Sequence, residues 1–119
     1  MKNTKIAING YGRIGRNLFR LLLNHPTIEV IAINDIADNK TMSHLTKYDS
    51  IHGVLPFEVT YNEKSIIVDQ KEYLFFHERE ICNLDWKTLD IDIVIEATGK
   101  FKTWDLANQH VLAGAKKVI

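Results

Sequence analysis

Three glycines near the start of the chain, at positions 10, 12 and 15, follow the spacing G-x-G-x-x-G. Glycine permits a tight turn, leaves the backbone bare where a ligand approaches it, and allows a helix to pack closely against a strand. A helix that begins after such a turn presents unpaired N–H groups, and these groups bind phosphate oxygens. We therefore predict a phosphate-binding turn composed of Asn9, Gly10, Gly12, Arg13, Ile14 and Gly15.

An acidic residue follows this turn at the sequence separation that is typical of dinucleotide-binding folds. Asp35 lies 20 residues after Gly15 and directly after the apolar run at residues 29–34, EVIAIN. In dinucleotide-binding folds, an acidic residue in this place accepts hydrogen bonds from the adenosine ribose hydroxyls, and it repels a 2′-phosphate. The turn and Asp35 together predict that the chain binds NAD in preference to NADP. The alternative is a purely structural glycine turn beside a solvated aspartate at a strand end.

A strand, a helix and a second strand must position these groups. The first strand is the apolar run at residues 6–8, and the second, at residues 29–34, is apolar throughout, as is typical of parallel strands covered on both faces. The helix is predicted from Arg13 to about Asn24, because Pro26 cannot continue it. We expect more than half of its circumference to be buried, including Ile14, Leu18, Leu21, Leu22 and Leu23.

Between residues 54 and 76 the alternation of strands and helices is interrupted. This region is rich in β-branched and aromatic residues, and polar triplets at residues 62–64 and 69–71 are typical of turns between short antiparallel strands. We therefore predict an α/β fold with a doubly wound, mostly parallel sheet of the Rossmann type and a small antiparallel insertion at about residues 54–76.

Two further strand ends supply candidate contacts for a dinucleotide. Arg79 follows the last strand of the insertion, where its side chain is expected along the adenine, and a surface ion pair with a neighbouring glutamate is the alternative. The apolar run at residues 91–95 leads to Thr98 and Gly99, a small hydroxyl residue and a glycine that let the backbone approach a ligand. This strand end is predicted to face the same crevice as the glycine turn.

The composition excludes several classes of function. The 119 residues correspond to about one domain, and 15 basic and 15 acidic residues give no net charge. Without a basic run, the chain has no electrostatic attraction for nucleic acid or for an anionic membrane. No apolar stretch approaches the ~20 residues of a membrane span. Because the N-terminus lacks the apolar core of a signal peptide, a cytoplasmic protein is expected.

The thiol and imidazole groups do not indicate catalysis or metal binding. Cys82 is the single cysteine, it follows two acidic residues that disfavour a thiolate, and its expected role is packing. The five histidines contain no pair at a spacing typical of metal sites. We therefore assign neither a catalytic residue nor a metal to this chain.

Motifs spread over nearly the whole chain resemble those of the NAD-binding part of phosphorylating glyceraldehyde-3-phosphate dehydrogenases. They are AINGYGRIGRNLFR, AIND, KYDSIHG, HER, ATGKF and AGAKKVI. The first of them is highly specific, because few other dinucleotide folds carry N-G-x-G-R-I-G-R. The resemblance implies an NAD-binding domain over residues 1–119.

The resemblance also implies a role for individual residues. The implied contacts are the N–H groups of Arg13 and Ile14 at the diphosphate, Asp35 at the ribose, Arg79 at the adenine, and Thr98, Gly99 and Phe101 near the nicotinamide. Two residues depart from the family pattern. Ala97 stands where many members have serine, and Lys100 stands where an apolar residue is usual.

The parent enzyme implied by this resemblance oxidises an aldehyde with NAD and phosphate to an acyl phosphate. In the family the catalytic cysteine and histidine lie beyond the position that matches residue 119, so we expect the chain alone to be inactive. The final apolar run, KKVI, looks cut within the sheet, so the domain is expected to be incomplete at its C-terminus and to lack the catalytic domain.

The resemblance further implies a sugar-phosphate aldehyde as the substrate of the full-length parent and a homotetramer as its assembly. Two alternatives remain open at this point. One is the erythrose-4-phosphate dehydrogenase branch of the same superfamily, because the residues that would separate the two branches contact the substrate. The other is a non-catalytic NAD-binding module.

Overall fold

A computed structural model of the chain describes residues 3–49, 53–98 and 104–119. The helices in these ranges are Arg13–Leu22 (α1), Asn39–Lys47 (α2) and Trp104–Leu112 (α3), with a 3₁₀ turn at Ile81–Asn83. The strands are Thr4–Asn9 (β1), Ile28–Asn34 (β2), Tyr48–Asp49 (β3), Gly53–Val54 (β4), Val59–Tyr61 (β5), Ser65–Val68 (β6), Lys71–Phe76 (β7), Ile93–Glu96 (β8) and Lys117–Val118 (β9). None of the described helices is long and apolar enough to span a membrane.

Seven of the described strands form one sheet in the order β5-β6-β7-β2-β1-β8-β9. The strands from β7 to β9 in this order are parallel, whereas β3 and β4 pair separately as a short antiparallel ribbon. Strands β2 and β7 lie on one side of β1, and the later strands β8 and β9 lie on its other side. The order therefore reverses beside β1, and in such sheets ligands bind outside the carboxyl ends of the strands at this reversal. The predicted doubly wound fold is confirmed.

The antiparallel insertion is also confirmed. Strand β5 pairs with β6 and β6 pairs with β7, both antiparallel, and β7 joins the parallel part of the sheet beside β2. Asp69 and Gln70 connect β6 to β7 with φ angles of 50° and 69°. Two consecutive residues with positive φ form the hairpin turn whose twist matches that of the flanking strands.

Each face of the sheet carries its own apolar cluster. Successive residues of β1 alternate between the clusters, with Ile6 and Ile8 on the face covered by α1 and Ala7 on the opposite face. On that opposite face Trp86 and Ile91 are fully buried. Because both faces of the sheet are covered, the central strands are continuous apolar runs in the sequence.

The predicted apolar face of α1 is correct for three residues and wrong for two. Leu18, Leu22 and Leu23 pack against the core as expected, whereas Ile14 is 71% exposed and Leu21 is 78% exposed. The buried stripe of α1 contains Gly15 and Phe19, four residues apart, and α1 ends at Leu22 rather than near residue 24. The close packing expected at the glycine turn is thus present at Gly15, and Ile14 lies outside the buried stripe.

The packing role expected for the cysteine is also wrong. Cys82 lies in the 3₁₀ turn and is exposed. Its neighbour Ile81 takes the buried position, at 3% exposure. A 3₁₀ turn of three residues directs its side chains in different directions, so one apolar residue in it packs against the sheet while the next faces solvent.

Candidate functional site

The residues predicted to bind a dinucleotide converge at the carboxyl edge of β1, β2 and β8. A cleft of about 420 Å³ opens there, within the range typical of small-molecule sites. Gly99 and Phe101 lie outside the described residues, so their predicted roles stay predictions. The predicted residues that line the cleft are Asn9, Gly10, Gly12, Asp35, Arg79 and Thr98.

Two of the three glycines are required by close backbone packing. Gly10 has a φ of +103°, and a Cβ atom on it would lie 2.7 Å from the backbone nitrogen of Thr98. A Cβ atom on Gly15 would overlap the carbonyl oxygen of Gly10. The absence of these two side chains therefore lets the turn pack directly between α1 and the segment that follows β8.

The third glycine leaves a space open. A Cβ atom on Gly12 would meet no other atom of the described chain within 4 Å, and Gly12 lines the cleft. Helix α1 begins at the next residue, Arg13, and no side chain in the described ranges caps its N-terminus. Arg13 and Ile14 do not line the cleft, and their expected backbone N–H contacts with a diphosphate stay predictions.

The carboxylate of Asp35 is held against the glycine turn. Its Oδ2 accepts a hydrogen bond of 2.7 Å from the N–H of Tyr11, and its Oδ1 accepts one of 3.1 Å from the N–H of Ala37. A carboxylate offers about four acceptor positions, so two backbone donors leave acceptor capacity for a ligand. The acid thus faces the glycine turn, and its expected contact with a ribose stays a prediction.

The turn is anchored by a buried tyrosine. Tyr11 is 1% exposed, and its ring makes edge-on contacts with Phe19 of α1 and Phe75 of β7. Its hydroxyl is hydrogen-bonded to the hydroxyl of Thr46, and burial raises the pKa of Tyr11. The backbone between Gly10 and Gly12 is thereby fixed from the side opposite the cleft.

Arg79 lies on the cleft wall, and its side chain is exposed. In the described chain no ion pair joins it to Glu78 or Glu80, which was the alternative from sequence. The backbone beside Arg79 is fixed by Asn34, which donates from Nδ2 to the carbonyl of Glu78 at 3.0 Å and accepts from its N–H at 2.9 Å. The segment that carries Arg79 is thus tied to the end of β2.

A row of hydrogen-bonded side chains joins the ends of β2, β1 and β8. Asn9 is the register partner of both Asn34 and Glu96. Asn34 donates to Oδ1 of Asn9 at 2.8 Å, and Asn9 donates to Oε1 of Glu96 at 2.5 Å. Of these three residues, sequence reasoning found only Asn9. A polar residue at the end of each apolar strand was the available signal, but strand register is not evident from sequence.

Glu96 is the charged member of this row, and its side chain is 7% exposed. Desolvation raises its pKa, but hydrogen bonds from His110, Asn9 and Thr98 outweigh it and hold the pKa below its usual value. Glu96 is therefore an ionised group next to the cleft wall. Within the described ranges, the side chains around Glu96 included, no group of three or more acidic, histidine or cysteine residues is arranged to hold a metal ion.

Comparison with known proteins places these features in a family. The family model described as "Glyceraldehyde 3-phosphate dehydrogenase, NAD binding domain" matches residues 4–104. Glyceraldehyde-3-phosphate dehydrogenase of Geobacillus stearothermophilus is 50% identical over 115 residues, covering 97% of this chain and 34% of that protein. The enzyme of the same name from Thermotoga maritima is 51% identical over 117 residues, covering 97% of this chain and 35% of the relative.

A eukaryotic relative gives the same result. Glyceraldehyde-3-phosphate dehydrogenase 3 of Saccharomyces cerevisiae is 46% identical over 116 residues, covering 97% of this chain and 35% of the relative. The chain spans about a third of the length of the curated relatives that it matches. It therefore belongs to the glyceraldehyde-3-phosphate dehydrogenase family, and the part of that family to which it corresponds is the NAD-binding domain.

Proposed function

We propose that the chain binds NAD in the cleft at the ends of β1, β2 and β8, with the diphosphate on the glycine turn and the adenosine ribose on Asp35. The observation that carries this proposal is the pairing of an open position at Gly12 with a carboxylate fixed 2.7 Å from the N–H of Tyr11. The proposal rests further on the family membership of the chain.

The residues present suit each part of the cofactor. At Gly12 there is room for phosphate oxygens beside the uncapped N-terminus of α1, whose positive dipole end favours anions. The remaining acceptor positions on Asp35 suit ribose hydroxyls. Arg79 is an exposed cation on the wall that we assign to the adenine, and Thr98 supplies the wall that we assign to the nicotinamide half.

We further propose that this domain serves a phosphorylating glyceraldehyde-3-phosphate dehydrogenase that acts as a cytoplasmic homotetramer on a sugar-phosphate aldehyde. Bound NAD supplies the hydride acceptor there, and the residues of this chain bind and orient it. Cys82 is not among the described residues that line the cleft, which supports our proposal that the nucleophile comes from outside this chain. The identity of the relatives as glyceraldehyde-3-phosphate dehydrogenases supports glyceraldehyde 3-phosphate over erythrose 4-phosphate as the substrate.

The test uses a protein that contains this chain and has the full length of its relatives. NADH production is measured with glyceraldehyde 3-phosphate and with erythrose 4-phosphate in the presence of phosphate, for the wild type and for Cys82→Ser. We expect faster turnover of glyceraldehyde 3-phosphate and no loss of activity in the variant. Preference for erythrose 4-phosphate, or inactivity of a folded Cys82→Ser protein, would contradict the proposal.

A further inference from the structure

A buried histidine contacts the row of polar side chains formed by Asn34, Asn9 and Glu96 at the strand ends. His110, in α3, is fully buried, and its Nε2 lies 2.8 Å from Oε1 of Glu96. On the other side of the ring, the indole N–H of Trp86 donates to Nδ1 of His110 at 3.0 Å. Both ring nitrogens are thus engaged by buried partners, and neither contact is part of the glycine turn or of the contacts of Asp35.

The partners of His110 fix its tautomer. An indole N–H can only donate, so Nδ1 must be the acceptor, and the proton of the neutral ring must be on Nε2. His110 therefore donates to Glu96, and the hydrogen bonds point in one direction from Trp86 to the carboxylate. The Nδ2 of Asn9 lies 3.4 Å from Nε2 of His110 because the two groups are donors that share Oε1 of Glu96.

Glu96 connects His110 to two residues that line the cleft. Its Oε1 accepts from Asn9, which lines the cleft beside the glycine turn. Its Oε2 accepts from the hydroxyl of Thr98 at 2.8 Å and from the N–H of Thr98 at 3.3 Å. Thr98 is the residue whose backbone would touch a Cβ atom on Gly10. The carboxylate of Glu96 thus holds both Asn9 and Thr98, which line the cleft next to Gly10.

We propose that His110, acting through Glu96, is a positioning residue for the dinucleotide, an inference that rests on the proposed function of the cleft. His110 itself does not line the cleft in the described chain. Without its N–H, the buried carboxylate loses a charge-assisted hydrogen bond and turns towards other donors or takes up a proton. Asn9 and Thr98 then lose the acceptor that holds them, and the cleft is no longer preorganised for the cofactor.

The test compares two substitutions of the histidine by calorimetric titration with NAD. His110→Phe keeps a flat ring but removes both polar contacts, whereas His110→Gln keeps one donor and one acceptor. For His110→Phe we expect NAD binding to weaken about tenfold or more, the range for a hydrogen bond to a charged group. For His110→Gln we expect binding within about threefold of the wild type, because the conservative variant restores the donor to Glu96.

A second variant keeps the test decisive if His110→Phe does not fold. Glu96→Gln has nearly the same shape and should also weaken NAD binding by about tenfold. Glu72→Gln is the matched control, because Glu72 is a carboxylate that accepts from Ser65 and Asn62 in the antiparallel part of the sheet, away from the cleft. Its NAD affinity should equal that of the wild type.

The tautomer gives an independent spectroscopic readout. In nitrogen-15 NMR spectra of histidine-labelled protein, His110 should show a protonated Nε2 and an unprotonated Nδ1, and Trp86→Phe should abolish this fixed assignment. Unchanged NAD affinity in folded His110→Phe and Glu96→Gln, or a proton on Nδ1 in the wild type, would overturn the inference. Failure of the wild type to bind NAD would instead contradict the proposed function.

Discussion

The backbone N–H of Tyr11 donates a hydrogen bond of 2.7 Å to Oδ2 of Asp35, which joins the middle of the glycine turn directly to the acidic end of β2. The two groups that a dinucleotide needs, bare backbone for its diphosphate and a carboxylate for its ribose, are therefore held in a fixed relation before any ligand binds. Such preorganisation lowers the entropic cost of binding.

The carboxylate of Asp35 should contribute directly to cofactor affinity. We predict that Asp35→Ala weakens NAD binding by about 1.5–3 kcal/mol, because the ribose hydroxyls lose hydrogen bonds to a charged acceptor. Calorimetric titration measures this change. Asp38→Ala is the matched control, since Asp38 caps α2 through the N–H of Thr41. It should lower the stability of the fold by removing this cap and leave NAD affinity unchanged. Equal NAD affinities of Asp35→Ala and the wild type would remove Asp35 from the site.

Two glycines of the turn should respond differently to the same substitution. Gly12→Ala places a methyl group in the open space of the cleft, so NAD binding should weaken while the thermal midpoint stays close to that of the wild type. Gly15→Ala places a methyl group against the carbonyl of Gly10 and should destabilise the fold by about 1–3 kcal/mol or more. Thermal unfolding followed by circular dichroism separates the two. A large loss of stability in Gly12→Ala would contradict the assignment of that space to a ligand.

Glu96 should make stability depend on pH in the acid range. Its folded-state pKa lies below its ordinary value, so the ionised group stabilises the fold above an ordinary glutamate pKa of about 4.3. This stabilisation is lost as the pH falls through the lower folded-state pKa. In Glu96→Gln the free energy of unfolding should therefore fall less steeply with acidification than in the wild type. Denaturant titrations at several pH values below about 5 test this, and parallel curves would disprove it.

One arginine of α1 should be a structural clamp. The guanidinium of Arg20 donates to the carbonyl oxygens of Thr46 at 2.9 Å, Lys47 at 3.1 Å and Gly53 at 3.0 Å, which ties α1 to the end of α2 and to β4. We predict that Arg20→Met lowers the free energy of unfolding by about 1.5–3 kcal/mol.

Arg16→Met is the matched control on the same helix, because among the described residues the guanidinium of Arg16 makes one long hydrogen bond, of 3.4 Å, to the carbonyl of Tyr11. Its effect on stability should be below about 0.5 kcal/mol, as for most surface substitutions. Similar losses in the two variants, measured by denaturant unfolding, would show that the carbonyl contacts of Arg20 contribute nothing specific.

The elements whose signals are local in the chain were predictable from sequence. The glycine spacing, the apolar run before Asp35 and the turn-forming residues between β6 and β7 each lie within a few residues of the structure that they specify. The exposure of Ile14 and Leu21 in α1 was not predictable in this way. Hydrophobic periodicity assigned both residues to the buried face, but the fully buried positions of the helix are those of Gly15 and Phe19.

The contacts of His110 and Glu96 behind the cleft were not predictable from the sequence either. His110 is separated from Asn9 by 101 positions, and the two residues meet only because α3 packs behind the end of β8. A single histidine in a helix gives no sign of burial, and a glutamate at a strand end is equally compatible with a solvated surface. Only the register of three parallel strands brings Asn34, Asn9 and Glu96 into one row.

The most direct test of the central claim is calorimetric titration of the 119-residue chain with NAD and, separately, with NADP. The cleft described above predicts one NAD per chain and binding of NADP that is at least about tenfold weaker, because the carboxylate of Asp35 repels the 2′-phosphate. Absence of NAD binding, or NADP binding as tight as that of NAD, would contradict the assignment of the diphosphate to the glycine turn and of the ribose to Asp35.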